Sequence, residues 1–215
     1  MVVKVRSFAT GGDRNLGYAA VDRGTGMTTL IDPSPDPRPL LAFIGQERLT
    51  VQYVFVTHGH PDHTAGGEMV LEATGRRPLS FGDRDKGTGT AVAHGARFPL
   101  GGLDVQVLHT PGHTSDSICI LVGDALFSGD TLFVGKVGGT DSGGEAMSQY
   151  RSLHDVVLSL PDDTRIFPGH DYGQSPDSTI GAERRSNPFL LRPDLDSFID
   201  LKRNWGAYKK LHGIP

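Results

Sequence analysis

Residues 57–67 read THGHPDHTAGG and place three histidines and an aspartate within six positions, from His58 to His63. The chain has only nine histidines, so a third of them lie in this stretch. It follows VQYVFV, residues 51–56, a nearly continuous apolar run of the length typical of a strand buried on both faces. His58 and His60 are two residues apart, which in extended chain points both side chains to the same side. The sequence therefore predicts a buried strand that ends in a cluster of metal-ligand residue types.

The same arrangement occurs three more times along the chain. VLHTPGH, LFSGD and RIFPGH each read as a short strand followed by a possible ligand, namely His113, Asp130 and His170. Loops that leave one edge of a sheet share a common site, because neighbouring strands lie about 5 Å apart. We therefore expect these side chains to converge. Imidazole and carboxylate groups suit zinc or iron, and a carboxylate can bridge two cations.

Asp62 and His63 follow Pro61, where the chain must turn away, so they can face a second metal centre. Asp62 also stands where the N-cap of a helix through TAGGEMVLE is expected, which is the alternative role for this residue. A metal lowers the pKa of bound water from about 15.7 to about 7, and two metals about 3.5–4 Å apart can hold both a nucleophile and a leaving oxygen. The predicted site is therefore suited to attack on an electrophilic carbonyl carbon.

The pattern of the whole chain is that of one domain with many short strands and a few helices. At 215 residues, with 37% hydrophobic residues, the chain is long enough for one sizeable core. We treat residues 1–215 as a single domain with a short helical extension over about 179–215. Strands are expected at 2–7, 17–21, 27–31, 51–56, 78–81, 96–100, 103–110, 117–122, 124–130 and 164–170, and helices at 40–48, 64–75, 145–160, 179–186 and 195–211.

Charge and cysteine content restrict the partners and the location. The net charge of −4 gives no general attraction to nucleic acid or to an anionic membrane, so we expect neither as a partner. The start of the chain does not resemble a signal peptide, and no apolar run approaches the ~18 residues that a membrane span needs. The single cysteine, Cys119, reads as a small core residue and fits a reducing compartment. These features predict a soluble, cytoplasmic protein.

The motifs HGHPDH, PGHT, SGD and PGH, in that order, resemble the metallo-β-lactamase superfamily over about residues 15–190. The resemblance implies an α/β fold, a four-layer αβ/βα sandwich of two mixed β-sheets flanked by helices, with the site at the mouth of the sheets. It implies two sets of metal ligands, His58, His60 and His113 for one ion and Asp62, His63 and His170 for the other, with Asp130 between them. Two divalent ions, zinc in the first instance, are the expected cofactors; one Fe(II) or a mixed zinc and iron pair is the alternative.

Three longer stretches, FSGDTLFVGKVGG, LPDDTRIFPGHDYG and STIGAERRSNPFL, resemble the glyoxalase II and persulfide dioxygenase branch, whose members act on glutathione conjugates. The glyoxalase II interpretation implies that a metal-bound hydroxide hydrolyses a thioester, with Asp62 as the catalytic residue that orients the hydroxide. The persulfide dioxygenase alternative uses one iron held by His58, His113 and Asp130. A lactonase is a further alternative. A zinc β-lactamase with a cysteine ligand is disfavoured, because the ligand position holds Asp130 and Cys119 lies inside a strand.

One position departs from the pattern of this branch. Relatives usually carry a basic residue after a glycine-rich turn, often GCGR or GCGK, whereas this chain has Gly139 at that position. Lys136, three positions earlier, is therefore our candidate for binding an anionic group of a small thioester or glutathione-type substrate. Arg184 and Arg185 are further candidates, although a solvated helix face is their alternative role. The basic residues of the last helix are others: Lys202, Arg203, Lys209 and Lys210. The oligomeric state stays open.

The remaining polar residues have structural roles as their first interpretation. We expect His109 to support its strand end and His94, His154 and His212 to be solvated. Asp32 follows a strand in LIDP and either caps the chain locally or supports the site. A nuclease of this superfamily would need a large inserted domain, for which 215 residues leave no room. A binding module that had lost its metals would lack ligands, and none is missing here.

Overall fold

The structure is a computed structural model that describes residues 3–140 and 143–214. Two mixed β-sheets pack face to face and helices cover both outer faces, so the predicted α/β sandwich is confirmed. Within the described residues no helix has both the length and the apolar character needed to cross a bilayer.

The first sheet has four strands in chain order. They are β1 (Lys4–Gly11), β2 (Asn15–Val21), β3 (Met27–Ile31) and β4 (Thr50–Phe55). The first three are antiparallel, and β4 runs parallel to β3 because helix α1 (Arg38–Glu47) provides the crossover. The predicted strand at 2–7 starts later and extends further than expected, and Val2 lies outside the described residues.

The second sheet has six strands in the order β12-β11-β8-β7-β6-β5. Their bounds are β5 (Arg97–Leu100), β6 (Leu103–His109), β7 (Ile118–Val122), β8 (Ala125–Gly129), β11 (Arg165–Pro168) and β12 (Ser178–Thr179). A separate two-stranded ribbon joins β9 (Leu132–Phe133) and β10 (Lys136–Val137). The strand expected at 78–81 is reduced to a single bridge between Leu79 and Phe55.

The described residues contain six further helices, of which the short α2 is not predicted and the others cover less of the chain than the predicted helices. They are α2 (Pro61–Thr64), α3 (Gly67–Thr74), α4 (Gly143–Arg151), α5 (Ile180–Ser186), α6 (Leu195–Arg203) and α7 (Trp205–His212). The helix predicted at 145–160 changes after Arg151 into a wide π turn and a 3₁₀ turn. The helix predicted at 195–211 breaks at Asn204, whose side chain donates hydrogen bonds to the carbonyl and the carboxylate of Asp200.

Side chains alternate across the strands and divide the core into three layers. Between the sheets lie Tyr18, Ala20, Ile31 and Phe55 from the first sheet and Phe98, Val107, Ile120 and Phe127 from the second. The outer face of the first sheet buries Ala19, Leu30 and Val54 against Leu40 and Ile44 of α1 and Val70 of α3. The outer face of the second sheet buries Leu108, Cys119, Leu126 and Ile166 against α4, α5 and α6. Cys119 is thus a core residue, as predicted.

Strand direction places the polar loops at one edge. The strands β6, β8 and β11 all run in the same direction, because β11 is parallel to β8 and two antiparallel steps separate β6 from β8. In the first sheet, β3 and β4 end together. Backbone hydrogen bonds from Ile118 to Thr57 and from Leu16 to Gly169 join the two sheets at this edge. The loops after β3, β4, β6, β8 and β11 therefore meet there.

Candidate metal centre

Three imidazoles meet beyond the ends of β4 and β6, and we name His58, His60 and His113 the first ligand group. His60 Nδ1 lies 2.9 Å from His58 Nε2 and 3.1 Å from His113 Nε2. Ligand atoms around a tetrahedral zinc with bonds of about 2.1 Å would be roughly 3.4 Å apart. The three nitrogens are therefore close to the spacing that one metal ion needs.

A carboxylate and two imidazoles, Asp62, His63 and His170, form the second ligand group. His63 Nε2 lies 3.3 Å from His170 Nε2, and Asp62 Oδ2 is 3.7 Å and 3.5 Å from these two nitrogens. Both histidines are buried, whereas Asp62 is partly exposed. The short helix α2 supplies Asp62 and His63 from one turn, and the loop after β11 supplies His170.

Asp130, directly after β8, lies between the two groups. Its Oδ2 is 3.5 Å from His113 Nε2 and 3.4 Å from His170 Nε2. Its Oδ1 is 3.6 Å from His63 Nε2 and is buried without a hydrogen-bond partner in the described part of the chain. A buried carboxylate oxygen without a partner is costly, so this geometry favours a cation beside Asp130.

The ring nitrogens on the far side of the site fix which nitrogen faces the centre. Four histidines have such partners: His58 Nδ1 lies 3.2 Å from Thr57 Oγ1, His63 Nδ1 2.9 Å from Asp32, His113 Nδ1 2.9 Å from the Gly139 carbonyl, and His170 Nδ1 2.8 Å from the Asp13 carbonyl. Carbonyl and carboxylate oxygens only accept, so Nδ1 of His63, His113 and His170 carries the hydrogen and a neutral ring turns the Nε2 lone pair inward. The Thr57 hydroxyl already donates to Asp32, so it accepts from His58 Nδ1 and has the same effect. Facing lone pairs repel unless a cation lies between them. The donor set therefore fits metal ions.

Two neighbouring histidines respond to this environment in opposite directions. Burial and the nearby His63 lower the pKa of His58 to about 4. Burial also disfavours a charged His63, but the carboxylates of Asp32, Asp130 and Asp62 outweigh it and raise the pKa of His63 to about 9. Burial would raise the pKa of Asp130, yet its histidine neighbours hold that pKa at about 2. The carboxylates thus make the centre favourable for positive charge. A proton on His63 supplies that charge, and a metal cation would take the place of this proton.

Asp32, at the end of β3, supports the second ligand group from behind. It is buried and accepts hydrogen bonds from the Thr57 amide at 2.7 Å, the Thr57 hydroxyl at 2.6 Å and His63 Nδ1 at 2.9 Å. Its backbone is left-handed, with φ of 45°, which aspartate tolerates better than most residues. Of the two roles that the sequence leaves open for Asp32, the structure therefore supports the second, orientation of a candidate ligand.

The sequence also leaves two roles open for Asp62. Helix α2 begins at Pro61, the N-cap position is His60, and no side chain makes the capping hydrogen bond. Asp62 instead accepts a hydrogen bond from Asn15 Nδ2 at 2.9 Å. Its carboxylate is therefore directed to the cluster and not used as a helix cap.

The loop before β2 and the first residue of β2 contribute partners that the sequence does not single out. Asn15 is buried and orients Asp62. Asp13 accepts from His170 through its carbonyl and from the Tyr172 hydroxyl through its carboxylate at 2.6 Å. The Tyr172 ring stacks on His170 with a centroid distance of 4.7 Å. The sequence gives one indication of these supporting contacts, namely that Tyr172 stands in PGHDYG, two residues after the candidate ligand His170.

A cavity of about 500 Å³ adjoins the loop that holds His113. Lys136, Gly138 and Gly139 form one part of its lining, and Phe189, Lys202, Arg203 and Trp205 form another. Lys136 lies within the site region, with its Nζ 3.7 Å from the centre of the Tyr172 ring. Arg184 and Arg185 are not brought to this cavity. Arg184 instead donates to Asp162 and to the Leu158 carbonyl, and Arg185 lies 4.0 Å from Asp162.

The other histidines lie outside the cluster. His94 and His212 are exposed, as expected, and His109 Nε2 donates to the Ser115 carbonyl while its ring stacks on Phe81 at 3.9 Å. The expectation for His154 is wrong in part. Its ring, which lies in the π turn, is partly buried against Tyr150 at a centroid distance of 4.1 Å, and its Nε2 is buried without a partner among the described residues.

Comparison with known proteins extends these observations. The family model described as the metallo-beta-lactamase superfamily matches residues 13–170. A beta-lactamase hydrolase-like protein from Agrobacterium fabrum is 30% identical over 94% of this chain, which spans only 56% of that relative's length. A hydroxyacylglutathione hydrolase from Rhizobium meliloti is 31% identical over 84% of both chains.

Among solved structures, ETHE1 from Myxococcus xanthus matches with a TM-score of 0.82 and 34% identity. The match covers 95% of this chain and 91% of that one. The two sheets, the flanking helices and the polar edge described above therefore have a counterpart of almost the same extent.

Proposed function

The chain belongs to the metallo-β-lactamase superfamily, and we propose that it is a dinuclear metal hydrolase that cleaves a thioester of the glyoxalase II type. In this proposal the first ligand group holds one divalent ion and the second ligand group holds another. Asp130, which faces both groups, would help to hold both ions. Zinc is the first choice for both positions because imidazole and carboxylate are its usual ligands, and iron suits the same donors.

Residues of this chain provide what the reaction needs around the metals. When bound, divalent ions lower the pKa of a coordinated water and polarise a carbonyl. Asp62 orients the attacking water and accepts its proton at the carboxylate oxygen that Asn15 does not hold. Asn15 keeps Asp62 in that orientation. Asp32 and the Asp13 carbonyl fix the rings of His63 and His170, so the ligands do not have to reorganise during turnover.

The cavity beside His113 is the proposed place for the substrate. Its lining combines apolar surface from Phe189 and Trp205 with the positive charges of Lys136 and Arg203. A thioester whose thiol part carries a carboxylate fits this combination. Lys136 takes part in anion binding in place of the basic residue absent at Gly139. Arg184 and Arg185 no longer fit such a role well, because Asp162 already neutralises Arg184 and lies near Arg185.

A single observation supports the dinuclear hydrolase more strongly than the others. Both ligand groups are complete, and the orphaned Asp130 Oδ1 lies 3.6 Å from His63 of the second group while Oδ2 faces His113 of the first. A mononuclear enzyme would not need a complete second group. The full pair of groups therefore favours two metals and hydrolysis.

The persulfide dioxygenase alternative has an observation of its own. The chain spans 91% of the Myxococcus xanthus ETHE1 chain, but only 84% of the Rhizobium hydrolase and 56% of the Agrobacterium relative. In this alternative His58, His113 and Asp130 hold one iron, a set of two histidines and one carboxylate.

One pair of assays separates the two proposals. Purified protein loaded with zinc is given a hydroxyacylglutathione thioester, and the loss of thioester absorbance is followed. Protein loaded with Fe(II) is given glutathione persulfide, and oxygen uptake is followed. Thioester loss that disappears in Asp130→Ala and persists in the exposed control Asp163→Ala supports the hydrolase. Oxygen uptake without thioester loss supports the dioxygenase. Hydrolysis of a lactone but not of the thioester contradicts the proposed substrate class.

A further inference from the structure

Lys202 connects helix α6 to the 136–140 loop, which lies beside His113. Its Nζ donates to the Gly138 carbonyl at 2.8 Å and to Gln149 Oε1 at 2.6 Å. The stem packs near Phe189 and Phe198, with the ammonium 5.7 Å and 5.6 Å from their ring centres. In sequence, Lys202 is 64 residues from Gly138 and 53 from Gln149, so this connection exists only in the folded chain.

Gln149 of α4 completes the same network from inside. Its side chain is fully buried, and its Nε2 donates to the Gly138 carbonyl at 3.1 Å. Its backbone also packs against Gly112, where an added Cβ would collide with Gln149. Ser152, one turn further on, donates to the Pro111 carbonyl at 2.7 Å. The end of α4 thus holds both loops that flank His113.

The segment held by Lys202 and Gln149 contacts the first ligand group directly. A Cβ at Gly138 would collide with the Asp130 carbonyl and the ring of His113, so only glycine allows this approach. The next carbonyl, that of Gly139, lies 2.9 Å from His113 Nδ1 and sets the orientation of the ring. A shift of the 136–140 loop would therefore move the oxygen that orients His113.

An ammonium is an expensive group to use for helix packing alone. Lys202 is largely withdrawn from water, and burial lowers its pKa to about 8. Within residues 3–140 and 143–214 no carboxylate forms an ion pair with it, and its hydrogen-bond acceptors are a carbonyl and an amide oxygen. An apolar side chain would cover Phe189 and Phe198 without the cost of desolvating a charge. We therefore attribute the ammonium at this position to its hydrogen bonds with the Gly138 carbonyl and Gln149 Oε1.

We propose that Lys202 is a positioning residue: together with Gln149 it fixes the 136–140 loop, and through the Gly139 carbonyl it keeps His113 ready to bind metal. Helix α6 in this way controls the metal affinity of the first ligand group and leaves the second group unaffected. His113 belongs to the first group alone, and His63 and His170 are oriented by Asp32 and Asp13, which lie in other loops. The inference rests on the ligand assignment made under the proposed function.

Zinc binding to two parent variants tests this selectivity. His170→Ala disables the second group and leaves the first, whereas His113→Ala does the reverse. Lys202→Met, which keeps the stem and removes the donors, is added to each parent, and zinc affinity of the metal-free protein is measured by competition with a chromophoric chelator. Supporting residues of metal sites typically contribute 10- to 100-fold in affinity, so a loss on the order of 10-fold is expected in the His170→Ala parent. Less than about a 2-fold change is expected in the His113→Ala parent.

Two further variants serve as controls. Lys202→Arg keeps a charged donor and should retain more affinity than Lys202→Met. Lys210→Met removes an exposed lysine of α7 and should change neither affinity. Equal losses in both parents would indicate general destabilisation and overturn the inference. Unchanged zinc affinities with a raised KM for an anionic thioester would also overturn it, because Lys202 would then act on substrate. Absence of zinc binding in both parents would instead contradict the proposed function.

Discussion

The two ligand groups lie at the same sheet edge, but neighbours of different chemistry hold them. In the first group the outer nitrogens of His58 and His113 meet a hydroxyl and a carbonyl, both neutral. In the second group His63 meets the buried carboxylate of Asp32, and Asp62 adds a carboxylate of its own. The pKa of His58 falls to about 4, whereas that of His63, with its ring centre only 4.2 Å away, rises to about 9.

Under the proposed dinuclear assignment, this difference would give the two metal positions different tasks. Three neutral imidazoles leave more of the metal's positive charge available to acidify water, as expected for the position that activates the nucleophile. Two carboxylates beside the second group cancel more of that charge and hold the cation more firmly. Variants that affect the first group, the second group or both should therefore differ in metal affinity and in activity.

The largest effect should come from Asp130→Ala, which removes the carboxylate that, among the described residues, faces both groups. We expect loss of metal from both positions and a decrease in kcat/KM of more than about 100-fold, beyond the effect of supporting residues. Elemental analysis and thioester hydrolysis on the same sample measure this. Asp163→Ala, an exposed aspartate, is the matched control. Full activity in a metal-depleted Asp130→Ala protein would rule out the bridging role.

The next largest effect should come from Asp32→Asn. The amide keeps the size of Asp32 but removes the charge behind His63, so metal affinity of the second group should fall by about 10- to 100-fold. The first group should lose clearly less affinity, because Asp32 reaches it only indirectly, through the Thr57 hydroxyl that contacts His58. Zinc titration in the His113→Ala and His170→Ala parents measures the two positions separately, with Asp163→Asn as control. A uniform loss at both positions would remove the distinction drawn between them.

A smaller effect is expected from Asn15→Ala. The amide of Asn15 bonds a charged oxygen of Asp62, and such a bond contributes about 1.5 kcal/mol, which corresponds to roughly a tenfold lower kcat. Metal content should not change, because Asp62 can still reach its position. Steady-state kinetics with metal analysis measures both quantities, and the exposed Gln46→Ala is the control. Loss of metal with unchanged kcat per bound metal would assign Asn15 to metal retention instead.

Metal addition should stabilise the whole domain, since both sheets contribute ligands. Ligand at 1,000 times its dissociation constant contributes about 4 kcal/mol per site, and a domain of this size gains roughly 2–4 °C in Tm per kcal/mol. One occupied site should therefore raise the Tm by about 8–16 °C, and a second should raise it further. Calorimetry of wild type, His113→Ala and His170→Ala measures the steps. A single step that survives unchanged in both variants would mean that neither group binds the ion.

Local patterns in the sequence predict much of the fold and every candidate ligand that the structure brings together. The apolar run at 51–56 becomes β4, and the strand-then-ligand pattern works because β6, β8 and β11 share a direction. The glycine that ends the helix predicted at 64–75 is indeed left-handed at Gly75. The break at Asn204 was missed because a continuous apolar stripe crosses it, and only a local side-chain bond interrupts the backbone.

The supporting residues could not be predicted in the same way. Asn15 bonds a residue 47 positions away, the Asp13 carbonyl a residue 157 away, and Lys202 reaches across 64 positions. No periodicity or spacing encodes such pairs, because the fold alone brings them together. Arg184 illustrates the converse: its position beside a family-like motif favours substrate binding, but its side chain donates to the Leu158 carbonyl at 2.8 Å and to Asp162 at 3.1 Å.

Metal content tests the central claim most directly. Protein purified without added metal, and a second sample reconstituted with zinc and desalted, are analysed for zinc, iron and protein on the same aliquot. A dinuclear hydrolase predicts close to two ions per chain after reconstitution, close to one in His113→Ala and in His170→Ala, and thioester hydrolysis that follows occupancy. One iron per chain, no second ion after reconstitution and oxygen uptake with glutathione persulfide would contradict it.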